Sequence, residues 1–150
     1  MSRAVSFRHM AEGTPADYQL LDDYARHYAA GLPDRLLVAL QRLDTSLDAY
    51  RVSRLTHSLQ TATRAEAAGA DDELVVGALL HDIGDDLAPY NHAAFAAAIL
   101  RPYVRDEVTW VIAQHGLFQT YYYAHHLGGD RHRRDQFEDH PWYSACVRFC

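Results

Sequence analysis

The chain has 150 residues, 49% of them apolar, and a formal net charge of −6, which is enough carbon for one packed core and the size of one ordinary domain. An acidic balance offers no broad attraction to nucleic acid or anionic lipid, so the expected partner is a small-molecule substrate, with no nucleic acid and no membrane. Two cysteines, Cys146 and Cys150, make no secreted framework, and neither a spanning apolar run nor a signal-peptide core is present, so a cytoplasmic protein with reduced thiols is expected.

Residues 1–14 are expected to be a flexible N-terminus and residues 15–150 a single domain. From Pro15 to Ala30 the residues Tyr18, Leu21, Tyr24, Ala25 and Tyr28 recur at three- and four-residue steps, which predicts an amphipathic helix stopped by Gly31. Pro33 can open a second helix through Leu36, Leu37, Leu40 and Leu43. Ser53 is a predicted N-cap for a third, with Leu55, Leu59, Ala62 and Ala65 on one stripe, His57 beside it and Gly69 at its end. A fourth helix, Glu73 to Ile83 behind Asp71 or Asp72, is apolar almost all round and therefore central, and it ends in His81-Asp82-Ile83-Gly84. Asn91 caps a predicted fifth helix that starts with His92. Arg105 to Gln114 forms a sixth, with His115 at its end before Gly116. Asp130 to His140 reads as a charged loop and Trp142 to Cys150 as the start of another helix; no convincing strand pattern occurs, so the fold class is all-α.

Ten histidines are the feature of composition that bears most on chemistry, because imidazole is the commonest metal ligand and titrates near neutrality. His81 followed directly by Asp82 offers one nitrogen and one carboxylate to a cation, with a second carboxylate oxygen left for another. Two neighbours cannot close a coordination shell, so further ligands must come from other helices. His57, 24 positions upstream, and His92 and His115, which begin and end the next two predicted helices, are the candidates. Four His and one Asp exceed what one cation takes while leaving room for substrate, so a dinuclear site is the simpler inference. His9, His27, His125, His126, His132 and His140 show no such pattern and are read as ordinary core or surface residues.

The runs His57-Ser58-Leu59-Gln60-Thr61-Ala62, Gly69-Ala70-Asp71-Asp72 and Ala78-Leu79-Leu80-His81-Asp82-Ile83-Gly84 resemble the HD-domain superfamily of metal-dependent phosphohydrolases, an all-α helical bundle. With His92 and His115 added, the pattern is similar to the short di-iron HD-domain oxygenases, a group that includes 2-amino-1-hydroxyethylphosphonate dioxygenase and, more distantly, myo-inositol oxygenase. The resemblance runs from Tyr50 to Tyr123, about half the chain. It implies one iron on His57, His81 and Asp82, a second on His92 and His115, an Asp82 carboxylate bridging the two, and His81 and Asp82 at the centre of catalysis. It also implies dioxygen as co-substrate and cleavage of a C–P or C–C bond in a small hydroxylated substrate.

The sequence departs from that pattern in three places. The family's sixth ligand is an Asp on a helix after the last His. Here either the chain stops short of it, the reading favoured, or Asp130, Asp135 or Asp139 substitutes. Basic residues of the phosphonate enzyme, three after the dyad Asp and four after the last His, are replaced by Asp85 and Gln119, which speaks against phosphonate itself. The Lys that myo-inositol oxygenase carries near its dyad has no counterpart. Gln60, Asp85 and Gln119 are the candidate substrate contacts, while Arg131, Arg133 and Arg134 read as a solvated cluster. Two alternatives keep the same ligands: a phosphohydrolase using Mn, Ni, Mg or Co to activate water, and a non-catalytic HD binding module.

Overall fold

Thr14 and Asp17 show how the chain starts its first long helix. In the computed structural model, which describes residues 4–150, the Thr14 hydroxyl accepts from the Asp17 amide and the Asp17 carboxylate accepts from the Thr14 amide, a reciprocal cap on α1 (Pro15–Ala30). Ser6 donates to the same carboxylate through its amide and its hydroxyl, at 2.8 and 3.0 Å. The predicted stripe of α1 exists as a helix face but is not covered: Tyr18, Leu21, Tyr24 and Tyr28 are all exposed. The described residues fall into two compact units, one ending at Ala39 and one running from Leu40 to Cys150. The candidate ligands and cavities all belong to the second.

α2 (Leu32–Arg42) is followed by a 3-10 turn at Leu43–Thr45. The Ser53 hydroxyl accepts from the Thr56 amide and opens α3 (Arg54–Ala67), as its sequence position predicts. Gly69, at φ +80°, then ends that segment in a conformation side-chain-bearing residues rarely adopt. Asp71 caps α4 (Asp72–Leu80) by accepting from the Leu74 amide.

α4 stops three residues earlier than the periodicity predicts. Ile83 donates to the Leu80 carbonyl and Asp85 to that of Asp82, so the chain tightens into three-residue turns and carries the dyad out of the helix. α4 packs on α3 and against α6; Gly77 allows the second contact, since a Cβ there would lie 2.9 Å from Val108 Cγ1.

α5 (His92–Leu100) and α6 (Asp106–Tyr123) pack along one another. The sequence expectation that His115 ends a helix is corrected here, because α6 runs on through Gly116 for two more turns. Gly116 has ordinary helical backbone, and Phe118 beyond it is fully buried with Val111 and Cys146. That burial outweighs the modest cost of one helical glycine. The predicted charged loop also has structure, a 3-10 segment at Arg131–Phe137 that returns along α6, followed by α7 (Tyr143–Phe149). No strand occurs among the described residues, and no described helix is long and apolar enough to cross a membrane.

Candidate metal centre

Asp82 lies at the focus of three helices and one turn. Its side chain is 2% exposed, and its two oxygens face different pairs of imidazoles. Oδ2 lies 3.4 Å from His57 Nε2 and 2.9 Å from His81 Nε2, whereas Oδ1 lies 3.5 Å from His92 Nε2 and 3.4 Å from His115 Nε2. Within each pair the two Nε2 atoms are 3.2 Å apart. The result is two three-donor clusters, His57-His81-Asp82 and Asp82-His92-His115, each with donor atoms within 4.8 Å of one another.

The hydrogen bonds on the far side of two of these rings decide what the near side offers. His81 Nδ1 is 2.8 Å from the Ala78 carbonyl and His115 Nδ1 is 2.7 Å from the Ile112 carbonyl, in both cases three residues back along the chain. A carbonyl can only accept, so each Nδ1 carries a hydrogen and, in a neutral ring, each Nε2 presents a bare lone pair. Those lone pairs point at a carboxylate and at a second imidazole. Such a convergence of acceptors repels itself unless positive charge stands among them, so the donor set fits a cation.

The surroundings keep Asp82 anionic. Burial pushes its carboxyl pKa upward, but the neighbouring His115, His81 and Arg54 outweigh burial and hold it well below the usual range. Burial, then the neighbouring His81, lowers the His57 pKa and favours the neutral, ligating ring.

Arg54, which sequence reasoning missed, occupies the first position of α3. It donates through Nη2 to Asp82 Oδ2 and through Nε to Asp85 Oδ2, both at 2.6 Å. Burial disfavours its charge, but Asp82 and Asp85 raise its pKa and keep it cationic. Its spacing of three residues before His57, on the same helical face, was the available signal.

A cavity of about 650 Å³ opens against the first cluster, with His57, His81, Thr61, Gln119, Arg148 and Phe149 in its wall. A smaller one of about 210 Å³ shares His57 and Gln119 with it and adds Tyr50 and Arg54. His92 and His115 line neither. Phe149 stands edge-on to His81, with ring centroids 5.8 Å apart.

Of the candidate substrate contacts, Gln119 lines both cavities, while Gln60 is exposed on α3 and lines neither, the wall being formed by the next residue, Thr61. Asp85 is also absent from both walls, because its carboxylate turns toward Arg54 and toward His92 Nδ1 at 3.5 Å. The candidate replacement aspartates stay outside the two clusters: Asp130 accepts from the His132 amide, Asp135 lies 3.0 Å from His132 Nδ1, and Asp139 is exposed. Arg131 and Arg134 both stack on the Tyr121 ring, with guanidinium carbons 4.1 and 3.6 Å from its centroid. The two cysteines are free thiols: Cys146 Sγ is 3.7 Å from the Val111 carbonyl and Cys150 Sγ 3.6 Å from the His115 carbonyl.

Residues 54–141 match the HD domain family. Among curated proteins, the chain is similar to the [1-hydroxy-2-(trimethylamino)ethyl]phosphonate dioxygenase (glycine-betaine-forming) of Leisingera caerulea. The two are 33% identical over 81 residues, which cover 47% of this chain and 41% of that relative. The chain therefore spans about two-fifths of the relative's length.

Proposed function

The chain belongs to the HD domain family, and on that premise we propose that it is a metal-dependent oxygenase that uses two iron ions and dioxygen to cleave a C–P or C–C bond of a small hydroxylated substrate. The observation that carries the reading is the division of Asp82, each of whose oxygens faces its own pair of imidazole Nε2 atoms. One buried carboxylate shared by two histidine pairs suits two cations held close together. The relative's activity, that of a phosphonate dioxygenase, supports oxygen chemistry over hydrolysis.

Here His57, His81 and Asp82 would hold one ion, and His92, His115 and Asp82 the other. A bound pair of this kind would supply Lewis acidity toward a substrate hydroxyl and electrons for dioxygen. The chain's own residues do the rest. The Ala78 and Ile112 carbonyls lock His81 and His115 in the Nδ1–H form, so their Nε2 atoms stay free for ligation. Arg54 donates to Asp82 Oδ2 and limits the negative charge that the carboxylate would present to the ions. Phe149 closes the cavity wall beside His81 and excludes water from that side.

The cavity also restores the cationic contacts whose loss argued against an anionic substrate. Asp85 and Gln119 carry no positive charge, but Arg64 on α3 and Arg148 on α7 both line the space next to His57 and His81. A substrate with a hydroxyl at the ions and an anionic group toward these arginines fits the wall, and Gln119 can hydrogen-bond between them.

The test is anaerobic loading with ferrous iron, followed by metal analysis, electron paramagnetic resonance and dioxygen uptake with 1-hydroxyalkylphosphonates and polyols. Two ions per chain, a coupled signal after one-electron oxidation and substrate-dependent uptake are expected. A protein that hydrolyses phosphate esters with manganese or nickel, and leaves dioxygen untouched when loaded with iron, refutes the oxygenase reading in favour of a phosphohydrolase.

A further inference from the structure

Two of the four imidazoles around Asp82 have a hydrogen-bond partner at Nδ1, and a third, His92, faces a carboxylate at a longer ion-pair distance. His81 and His115 use backbone carbonyls three residues behind them. His92 has no such option, because it is the first residue of α5 and the chain behind it is a turn rather than a helix. A ring at that position is left to rotate unless a side chain supplies the acceptor. The Asp85 carboxylate is the acceptor in reach, with Oδ1 3.5 Å from His92 Nδ1.

Two further features keep Asp85 in place. Gly84 lets the turn after the dyad lie directly on the start of α5: a Cβ there would come within 2.9 Å of both the His92 Cα and its carbonyl oxygen, and 3.0 Å from Phe95 Cβ. Asp85, the next residue, is thereby carried alongside the His92 ring. Its other oxygen accepts from Arg54 Nε at 2.6 Å, while Nη2 of the same guanidinium holds Asp82 at 2.6 Å. One cation thus offsets two neighbouring carboxylates that would otherwise repel each other, and all three side chains are at most 14% exposed.

We propose that Asp85, clamped by Arg54, is a positioning residue for His92: it fixes the ring in its Nδ1–H form and aims Nε2 at Asp82 Oδ1, and so sets the affinity of the second cluster without touching substrate. This rests on the two-cation reading above. It assigns the acidic residue after the HDIG turn to the histidine rather than to the cavity, in whose wall it has no part.

The experiment is a titration of the metal-free protein with manganese(II), following free ion by electron paramagnetic resonance and bound ion by metal analysis, for the wild type, Asp85→Ala and Asp85→Asn. The wild type is expected to take two ions. Asp85→Ala should keep its helical circular dichroism and one ion of unchanged affinity but bind the other roughly 10- to 100-fold more weakly. Asp85→Asn keeps an acceptor oxygen and should come back to within roughly tenfold of the wild type. Nitrogen-15 spectra of the metal-free protein add an independent readout, with His92 leaving the Nδ1–H form only in Asp85→Ala. Two ions of wild-type affinity in Asp85→Ala overturn the role of Asp85 and leave the two-cation reading standing. A wild type that binds fewer than two overturns both. Should Asp85→Ala not fold, Asp85→Leu, which also lacks an acceptor but keeps the side-chain volume, takes its place with the same expectations: equal loss of both ions, or no loss of either with an unchanged His92 spectrum, counts against the proposal.

Discussion

The two sides of Asp82 are built from the same parts and sit in opposite surroundings. Each has two imidazole Nε2 atoms 3.2 Å apart facing one carboxylate oxygen. On the Oδ2 side both rings form part of a cavity wall, and the His57 side chain is 36% exposed. On the Oδ1 side neither ring lines either of these two cavities, His92 is 25% exposed and His115 is fully buried. Donor chemistry is therefore symmetric while access is not. The open side is where a small molecule can meet an ion. The closed side depends on neighbours, Gly84 and Asp85 above all, to hold its ligands in place.

The change that should erase this difference altogether is Asp82→Ala. It removes the group both sides share, so both ions should be lost together, and activity should fall by more than the roughly 100-fold typical of residues that only support a ligand. Metal analysis beside a turnover assay checks this; retention of one ion would mean that the sides are independent sites and not a pair. Next in size are His57→Ala and His92→Ala, each expected to lower bound metal from two ions to one. The comparison sharpens if substrate protects the remaining ion against a chelator in His92→Ala, where the open side is intact, and fails to protect it in His57→Ala.

Gly84→Ala should act on the closed side alone. The added methyl meets backbone atoms of His92, which cannot swing aside as the end of a flexible side chain can. Overpacking of this kind costs about 1–3 kcal/mol, measurable by urea unfolding, and should weaken the second ion as well. Gly77→Ala is the control, since its nearest contact is the Val108 side chain. It should cost less and leave metal binding unchanged.

The open side was far more legible in the sequence than the closed one. Ser53, His57, Asp71 and the dyad are local signals, caps and neighbours in sequence, and the structure has the Ser53 and Asp71 caps where the sequence puts them, whereas Asn91 makes no side-chain capping bond at the start of α5. The sequence marks His115 as a donor but ends its helix before Gly116, because the burial of Phe118 that carries α6 onward depends on α7, which lies far along the chain. Arg54 and Asp85 were harder still. Taken singly, an arginine in the first turn of a helix reads as solvated, and the acid in the turn after the dyad reads as a substrate contact. Only folding across 31 positions reveals them as partners. The exposed α1 stripe shows the same limit in reverse, since periodicity predicts which residues share a face and not whether anything covers it.

The smallest expected effect tests the open side without touching a ligand. Gln119 lies one turn beyond His115 on α6 and lines both cavities, although His115 itself lines neither. Its amide can reach a substrate held between His57 and Arg148 but contacts no donor atom of either cluster. Gln119→Ala should therefore remove about one neutral hydrogen bond, roughly 0.5–1.5 kcal/mol, and raise KM about two- to tenfold with kcat nearly unchanged. Metal content should stay at the wild-type value, which separates this outcome from the ligand variants and from Gly84→Ala. A fall in bound metal would mean that the cavity wall helps hold the ions, and the division between an open face for substrate and a closed face for ligand support would have to be redrawn.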